Sequence, residues 1–122
     1  MIDTTITALK TTLMRVPWAG EPPKNGIMPP TAREFVVLEI MTKGGLTGLG
    51  YLQPLSGGLE TLDACLREMI APKVLGRDAT EVEAIWRALW KSTFWMGRAG
   101  IAVAALSAVD IALWDIVGKR AQ

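Results

Sequence analysis

The apolar residues of this chain change their spacing near Gly57, and that change limits the folds open to it. Before Gly57 they come in three short extended runs. TTITALKTTLM alternates Thr with apolar residues around Ile6 and Ala8. FVVLEIMT, 35 to 42, is rich in β-branched and aromatic residues, and LTGLGYL, 46 to 52, is short and punctuated by glycine. After Gly57 the spacing is helical: Leu59, Leu62, Leu66, Met69 and Ile70 recur at steps of three and four. Strands followed by helices predict an α+β fold, a three-stranded antiparallel meander followed by a three-helix bundle. Such a sheet buries one face at most, so the helices must cover it.

Local chemistry sets the joints. Lys43-Gly44-Gly45 suits a tight hairpin between the second and third strands, because glycine accepts positive φ. RVPWAGEPPKNGIMPPTAR, 15 to 33, holds five of the seven prolines and is predicted to be irregular throughout. A loop of that length in a compact domain is usually functional or mobile. Pro72 is expected to end the first helix. Thr80 and Glu83 have capping-box spacing and predict a second helix to about Thr93, with Val82, Ile85, Trp86, Leu89 and Trp90 as its packing stripe. FWMGRAG then leads into a last helix over roughly 99 to 119.

The bulk numbers remove several classes of function. At 122 residues one core is expected, burying roughly two-thirds of the unfolded surface. Thirteen Lys and Arg nearly cancel twelve Asp and Glu, so nothing marks a polyanion-binding surface and no nucleic-acid partner is expected. Histidine is absent, which excludes Ser-His-Asp and Cys-His catalysis and zinc sites of mixed Cys and His ligation. The single Cys65 lies among helix-periodic apolar residues and reads as a buried, inert thiol. MIDTTITALK has no export or organelle pattern, so a cytoplasmic location is expected. The run Ile101 to Val109 is about half of the roughly 18 residues a membrane span needs, and no membrane partner is expected.

Two motifs have plain structural readings. GGLTGLG has the order G-x-x-G-x-G inside a hairpin with no helix N-terminus after it, so close packing and turn geometry explain it better than phosphate binding. WRALWKSTFWMGR mixes aromatic and basic residues, but Trp86 and Trp90 share the stripe of Val82 and Leu89, which favours core packing over base stacking. In the last helix Asp115 and Lys119 are spaced i,i+4 in the favourable orientation. Asp110 stands among Ala108, Val109, Ile111, Ala112 and Leu113, so its carboxylate needs a cationic or N–H partner, or its pKa must rise. A structural role is expected for all three.

ALSAVDIALWDIVGK, 105 to 119, resembles the first signature of the mandelate racemase and muconate lactonizing enzyme family, a branch of the enolase superfamily. The meander, the proline-rich loop, the GxG ending the third strand and the helix start at 78 to 83 resemble its N-terminal capping domain, which would cover residues 1–122. The resemblance implies a two-domain enzyme whose capping domain closes over a (β/α)8-type barrel. That barrel would carry Mg²⁺ on three carboxylates and the residues that remove a proton next to a substrate carboxylate. A barrel takes about 250 residues and none lies among these 122, so no catalytic or metal-binding residue is assigned here. Two loops are implied to close over a carboxylate-bearing substrate such as a sugar acid, Val16 to Arg33 and Tyr51 to Ser56. Within them Lys24 is expected to meet a carboxylate, Asn25 and Tyr51 to hydrogen-bond hydroxyls, and Trp18 to exclude water. Tyr51, where many relatives carry Glu, resembles the mandelate racemase side of the family and its acid-sugar dehydratases.

The chain alone is therefore expected to be inactive: a truncated product, a piece, or one half of a split racemase, cycloisomerase or dehydratase whose partner is the barrel. Two alternatives stand beside it. One is a self-standing association module that forms homo-oligomers through the helix face a barrel would cover. The other is an independent small-molecule binder using the Tyr51 loop.

Overall fold

The computed structural model describes residues 1–27, 31–55 and 57–122. Strands β1 (Ile6–Pro17), β2 (Ala32–Thr42) and β3 (Thr47–Leu52) form one antiparallel sheet in the order β1-β2-β3. In β2, Val36, Leu38 and Ile40 are fully buried while Phe35, Val37, Glu39 and Met41 are partly exposed. This alternation gives the sheet a core face and an outer face. Register places Leu9, Thr11 and Leu13 of β1, and Gly48, Gly50 and Leu52 of β3, on the core side. The hairpin at 43 to 45 closes with Thr42 N–H donating to Leu46 O at 2.9 Å and with Gly45 at φ +87°.

The strands extend further into the proline-rich segment than its composition predicts. Val16 pairs with Arg33 and Pro17 with Ala32, so the irregular loop is 18 to 31. Pro17 is tolerated because β1 is an edge strand and its missing N–H lies at the strand's last position.

Three helices cover the core face. The first, α1, spans 59 to 74 in three stretches: Leu59–Ala64, a π-helical Cys65–Ile70, and Ala71–Val74. Pro72 does not break it. The wide turn before the proline shifts the ladder, seen where Ala71 N–H reaches back to Leu66 O, and the proline then occupies the first turn of the restarted helix, where no N–H is required. Helix α2 is Val82–Ser92, with Val82, Ile85 and Leu89 buried and Trp86 and Trp90 half-buried, their rings stacked 5.0 Å apart. Its start corrects the capping-box expectation: no side chain caps it, and Thr80 instead gives both its N–H and its hydroxyl to Asp78, at 2.9 and 2.8 Å. Asp78 also accepts the buried Thr4 hydroxyl at 2.6 Å, so this short side chain serves the junction with the N-terminal segment.

Helix α3, Ile101–Arg120, is the central element and buries Ala105, Leu106, Ala108, Val109, Ala112, Leu113 and Ile116. Its length and apolarity would suit a membrane span, yet this buried side lies on the sheet. Contact is close because β3 offers glycine where the helix passes. A Cβ on Gly48 would run into the Ala112 carbonyl oxygen, and one on Gly50 into that of Ala108. The larger members of the core, among them Leu38, Ile40, Leu66, Ile70, Ile85, Leu106 and Ile116, are at most 1% exposed. Each contributes about 1.5–3 kcal/mol through burial. Cys65 joins them, and burial pushes its thiol up, as an inert core cysteine requires.

Candidate functional site

Asp115 and Lys119 do more than pair with each other. The Asp115 carboxylate accepts Lys119 Nζ at 2.6 Å and the Leu49 N–H at 2.8 Å, and Lys119 also donates to Thr47 O at 2.7 Å. The last two groups belong to β3, an edge strand, so the i,i+4 pair occupies backbone positions that would otherwise template another strand. Lys119 and the Leu49 N–H hold the Asp115 carboxyl below the usual carboxylate range. Asp110 has no hydrogen-bond or ion-pair partner among the described residues. It is half-buried beside Val82, Trp86 and Trp114, and burial pushes its carboxyl up.

The loops lie at the other end of the sheet. Antiparallel pairing sends the C-terminal ends of β1 and β3 and the N-terminal end of β2 to one side, so loop 18–31 and the segment after Leu52 emerge together. Residues 28 to 30 and Ser56 fall outside the described residues. Trp18, half-buried, carries the Arg33 guanidinium 4.7 Å above its ring. Tyr51 is 56% exposed and leans on Phe35, centroids 6.4 Å apart and planes tilted by 57°. Arg33, Phe35 and Tyr51 share the outer face, but Tyr51 lies opposite Val37 on one flank of β2, while Trp18 follows the Pro17–Ala32 pair on the other flank. Lys24 and Asn25 lie further out on the loop. Lys24 pairs with Glu21 at 3.3 Å, and the Asn25 side-chain oxygen accepts the Ile27 N–H at 3.0 Å in a local turn. Arg33 and Phe35 were not singled out in the sequence. Their signal was there: with Val36, Leu38 and Ile40 assigned inward, odd positions of β2 face outward.

Among the described residues no group of three or more Cys, Asp or Glu is placed to hold a metal ion. The outer face offers aromatic surface, an exposed phenol and a guanidinium, groups suited to recognition.

The family model for the mandelate racemase / muconate lactonizing enzyme N-terminal domain matches residues 8–122. A D-mannonate dehydratase of Xanthomonas oryzae pv. oryzicola is 42% identical over 89 residues, covering 73% of this chain and 21% of its own length. A 3,6-anhydro-alpha-L-galactonate cycloisomerase of Streptomyces coelicolor is 38% identical over 89 residues, 73% of this chain and 25% of that protein. Among solved structures, a racemase from Streptomyces coelicolor with bound magnesium superposes with a TM-score of 0.87 at 34% identity, over 96% of this chain and 33% of that one. The chain thus spans a third or less of these relatives. With three antiparallel strands backed by three helices and a family match over nearly its whole length, it belongs to the mandelate racemase / muconate lactonizing enzyme family as an N-terminal domain.

Proposed function

We propose that this chain is the capping domain of a Mg²⁺-dependent enzyme of the enolase superfamily that acts on a sugar acid or similar carboxylate. In this reading a (β/α)8-type barrel supplies the metal ligands and the acid/base residues, and the reaction begins with loss of the proton α to the carboxylate. The chain's own contribution is to select the substrate and exclude water, through Trp18, Lys24, Asn25 and Tyr51. The observation that carries it is the exit of both loops from one end of the sheet, where they can converge on one bound molecule. The relatives named as dehydratase and cycloisomerase of sugar acids support the substrate class.

The test is reconstitution. The chain is mixed with Mg²⁺ and the separately produced barrel of the Xanthomonas dehydratase, and D-mannonate is followed for dehydration and for α-proton exchange in D₂O. Activity is expected with both halves and not with either alone. A hybrid that stays silent, while the same barrel works with its own N-terminal domain, overturns the proposal.

A second reading has a specific observation in its favour. Ile111, Trp114, Phe94 and Trp95 leave apolar surface on the helical side, with an open groove of about 700 Å³ between α2 and α3. Two copies associating there would cover it. Sedimentation as a monomer at high concentration would remove this reading.

A further inference from the structure

We propose that the free edge of β1, from Leu9 to Arg15, pairs antiparallel with the same edge of a second copy, with the two-fold axis at Thr12. This pairing uses neither the loops nor the groove between α2 and α3, so it is independent of both functional readings. The two edges of the sheet differ. On β3 the Asp115 and Lys119 side chains occupy the Leu49 N–H and the Thr47 carbonyl. On β1 the cover ends early. Ile6 gives its N–H to Arg77 O at 2.8 Å and accepts the Gly76 N–H at 2.9 Å, and beyond Ile6 the outward backbone has no hydrogen bond among the described residues.

The hairpin decides which backbone groups face out. Thr42 turns its N–H to Leu46 on the β3 side, while Lys43 gives its own to Thr5 on the β1 side. Orientation repeats every second residue, so Met41, Glu39, Val37 and Phe35 bond to Ala8, Lys10, Thr12 and Met14. Leu9, Thr11, Leu13 and Arg15 are left pointing outward. Upstream the 76–77 segment fills the edge, and downstream Pro17 offers no N–H, so the open window has Thr12 at its midpoint. A strand edge is complemented by another strand. A copy centred at Thr12 satisfies the whole window, with Leu9 bonding to Arg15 and Thr11 to Leu13 across the axis. Moving the axis to Leu13 would set Leu9 against Pro17, and moving it to Thr11 would set Arg15 against Thr7, where the strand is irregular. Side chains agree with the central register: Thr12 meets Thr12, Lys10 meets Met14, and no like charges stand opposite. Lys10 and Arg15, the cations of β1, are already balanced within their own chain, by Glu39 at 3.7 Å and Glu34 at 3.0 Å.

Sedimentation of the 122-residue chain over a range of concentrations should show a reversible dimer. Leu13→Pro removes an outward N–H that is unpaired in the monomer, so the far-UV spectrum should persist while the dimer weakens by about tenfold, the scale of a backbone bond lost at two symmetric sites. Leu13→Ala trims the same side chain but keeps the N–H, and should dimerise more tightly than Leu13→Pro. Thr12→Cys probes the register without a proline. Residues facing each other at a non-hydrogen-bonded antiparallel position have Cα atoms about 4.5 Å apart, within disulfide reach. Lys10→Cys would lie about 13 Å from its mate, at about 3.3 Å per residue of stagger. With oxidised glutathione Thr12→Cys should give a covalent dimer, while Lys10→Cys and the parent, with its buried Cys65, should not. A parent that stays monomeric at millimolar concentration, a Leu13→Pro dimer as tight as that of Leu13→Ala, or Lys10→Cys linking as readily as Thr12→Cys would each overturn the proposal. Association through the groove between α2 and α3 would give the second of these results, and is thereby told apart.

Discussion

Replacing Gly50 by Ala should damage this domain, while the same change at Gly118 should strengthen it. At Gly50 the added methyl would collide with the Ala108 carbonyl oxygen and come within 3.2 Å of the Ala112 Cβ. The obstacle is helix backbone, which cannot rotate away as a side chain would. Relief requires α3 to retreat from β3, and a gap of about 0.5–1 Å already forfeits about a quarter to a half of a dispersion contact. Ala105, Ala108, Ala112 and Ile116 all sit at this seam, and the Asp115 and Lys119 bonds to β3 would lengthen with it. Overpacking typically costs about 1–3 kcal/mol, and with backbone in the way the upper figure is expected, which lowers Tm by about 10 °C in a chain of this size. Gly118 lies within α3 with nothing within 4 Å of a built Cβ, so Ala there should gain about 0.5–1 kcal/mol from helix propensity. Urea unfolding followed by far-UV circular dichroism measures both, with equal m-values as the check that only stability has changed. A loss below about 0.5 kcal/mol for Gly50→Ala, the scale of a neutral surface change, would refute the close seating of α3 on β3.

Three further outcomes follow from side chains. Asp78→Ala should cost about 2 kcal/mol in the same assay, since it leaves the buried Thr4 hydroxyl without its acceptor and frees Thr80. Acid titration should show stability that is full above the ordinary carboxylate pKa and lost as pH falls through the lower folded values of Asp78 and Asp115; the Asp115→Asn variant should show a shallower fall. Asp110 has the opposite sign: its folded pKa is raised, so its ionised form is a penalty present at neutral pH and relieved as pH drops through that raised value. Asp110→Asn should therefore melt higher than the parent at pH 7 and at nearly the same temperature at about pH 3, below the ordinary Asp value. A variant that melts lower at pH 7 would mean that the carboxylate is useful.

The strands and helices were legible because two hydrophobic periods dominate the two halves of the chain, and because glycine pairs mark the turns. What composition hid was continuation. Pro17 looks like a strand breaker, yet at the end of an edge strand it costs no hydrogen bond, so β1 and β2 zip three pairs further, Arg15–Glu34, Val16–Arg33 and Pro17–Ala32, than the proline count suggests. Pro72 looks like a helix stop, yet a π turn one residue upstream absorbs it. The Thr80 and Glu83 spacing looks like a cap, but Asp78 accepts both the N–H and the hydroxyl of Thr80 and so takes that side chain for itself. In each case a local rule was overridden by a neighbour that met the same backbone demand another way.

The corner near Trp18 shows the same logic at the level of charge. Sequence reasoning weighs residues by loop membership, and on that basis Lys24 is the natural partner for a substrate carboxylate. In the fold Lys24 has Glu21 three residues away, an exposed pair worth at most about 1 kcal/mol but enough to compete with a weakly held anion. Arg33 stands on a strand, and the strand period aims it to the outer face, where the Trp18 ring fixes it. Rigid elements position charge better than loops do, because less side-chain and backbone freedom is lost on binding. Trp18, expected from the resemblance to exclude water, carries the Arg33 guanidinium on its ring, while Lys24 is engaged with Glu21.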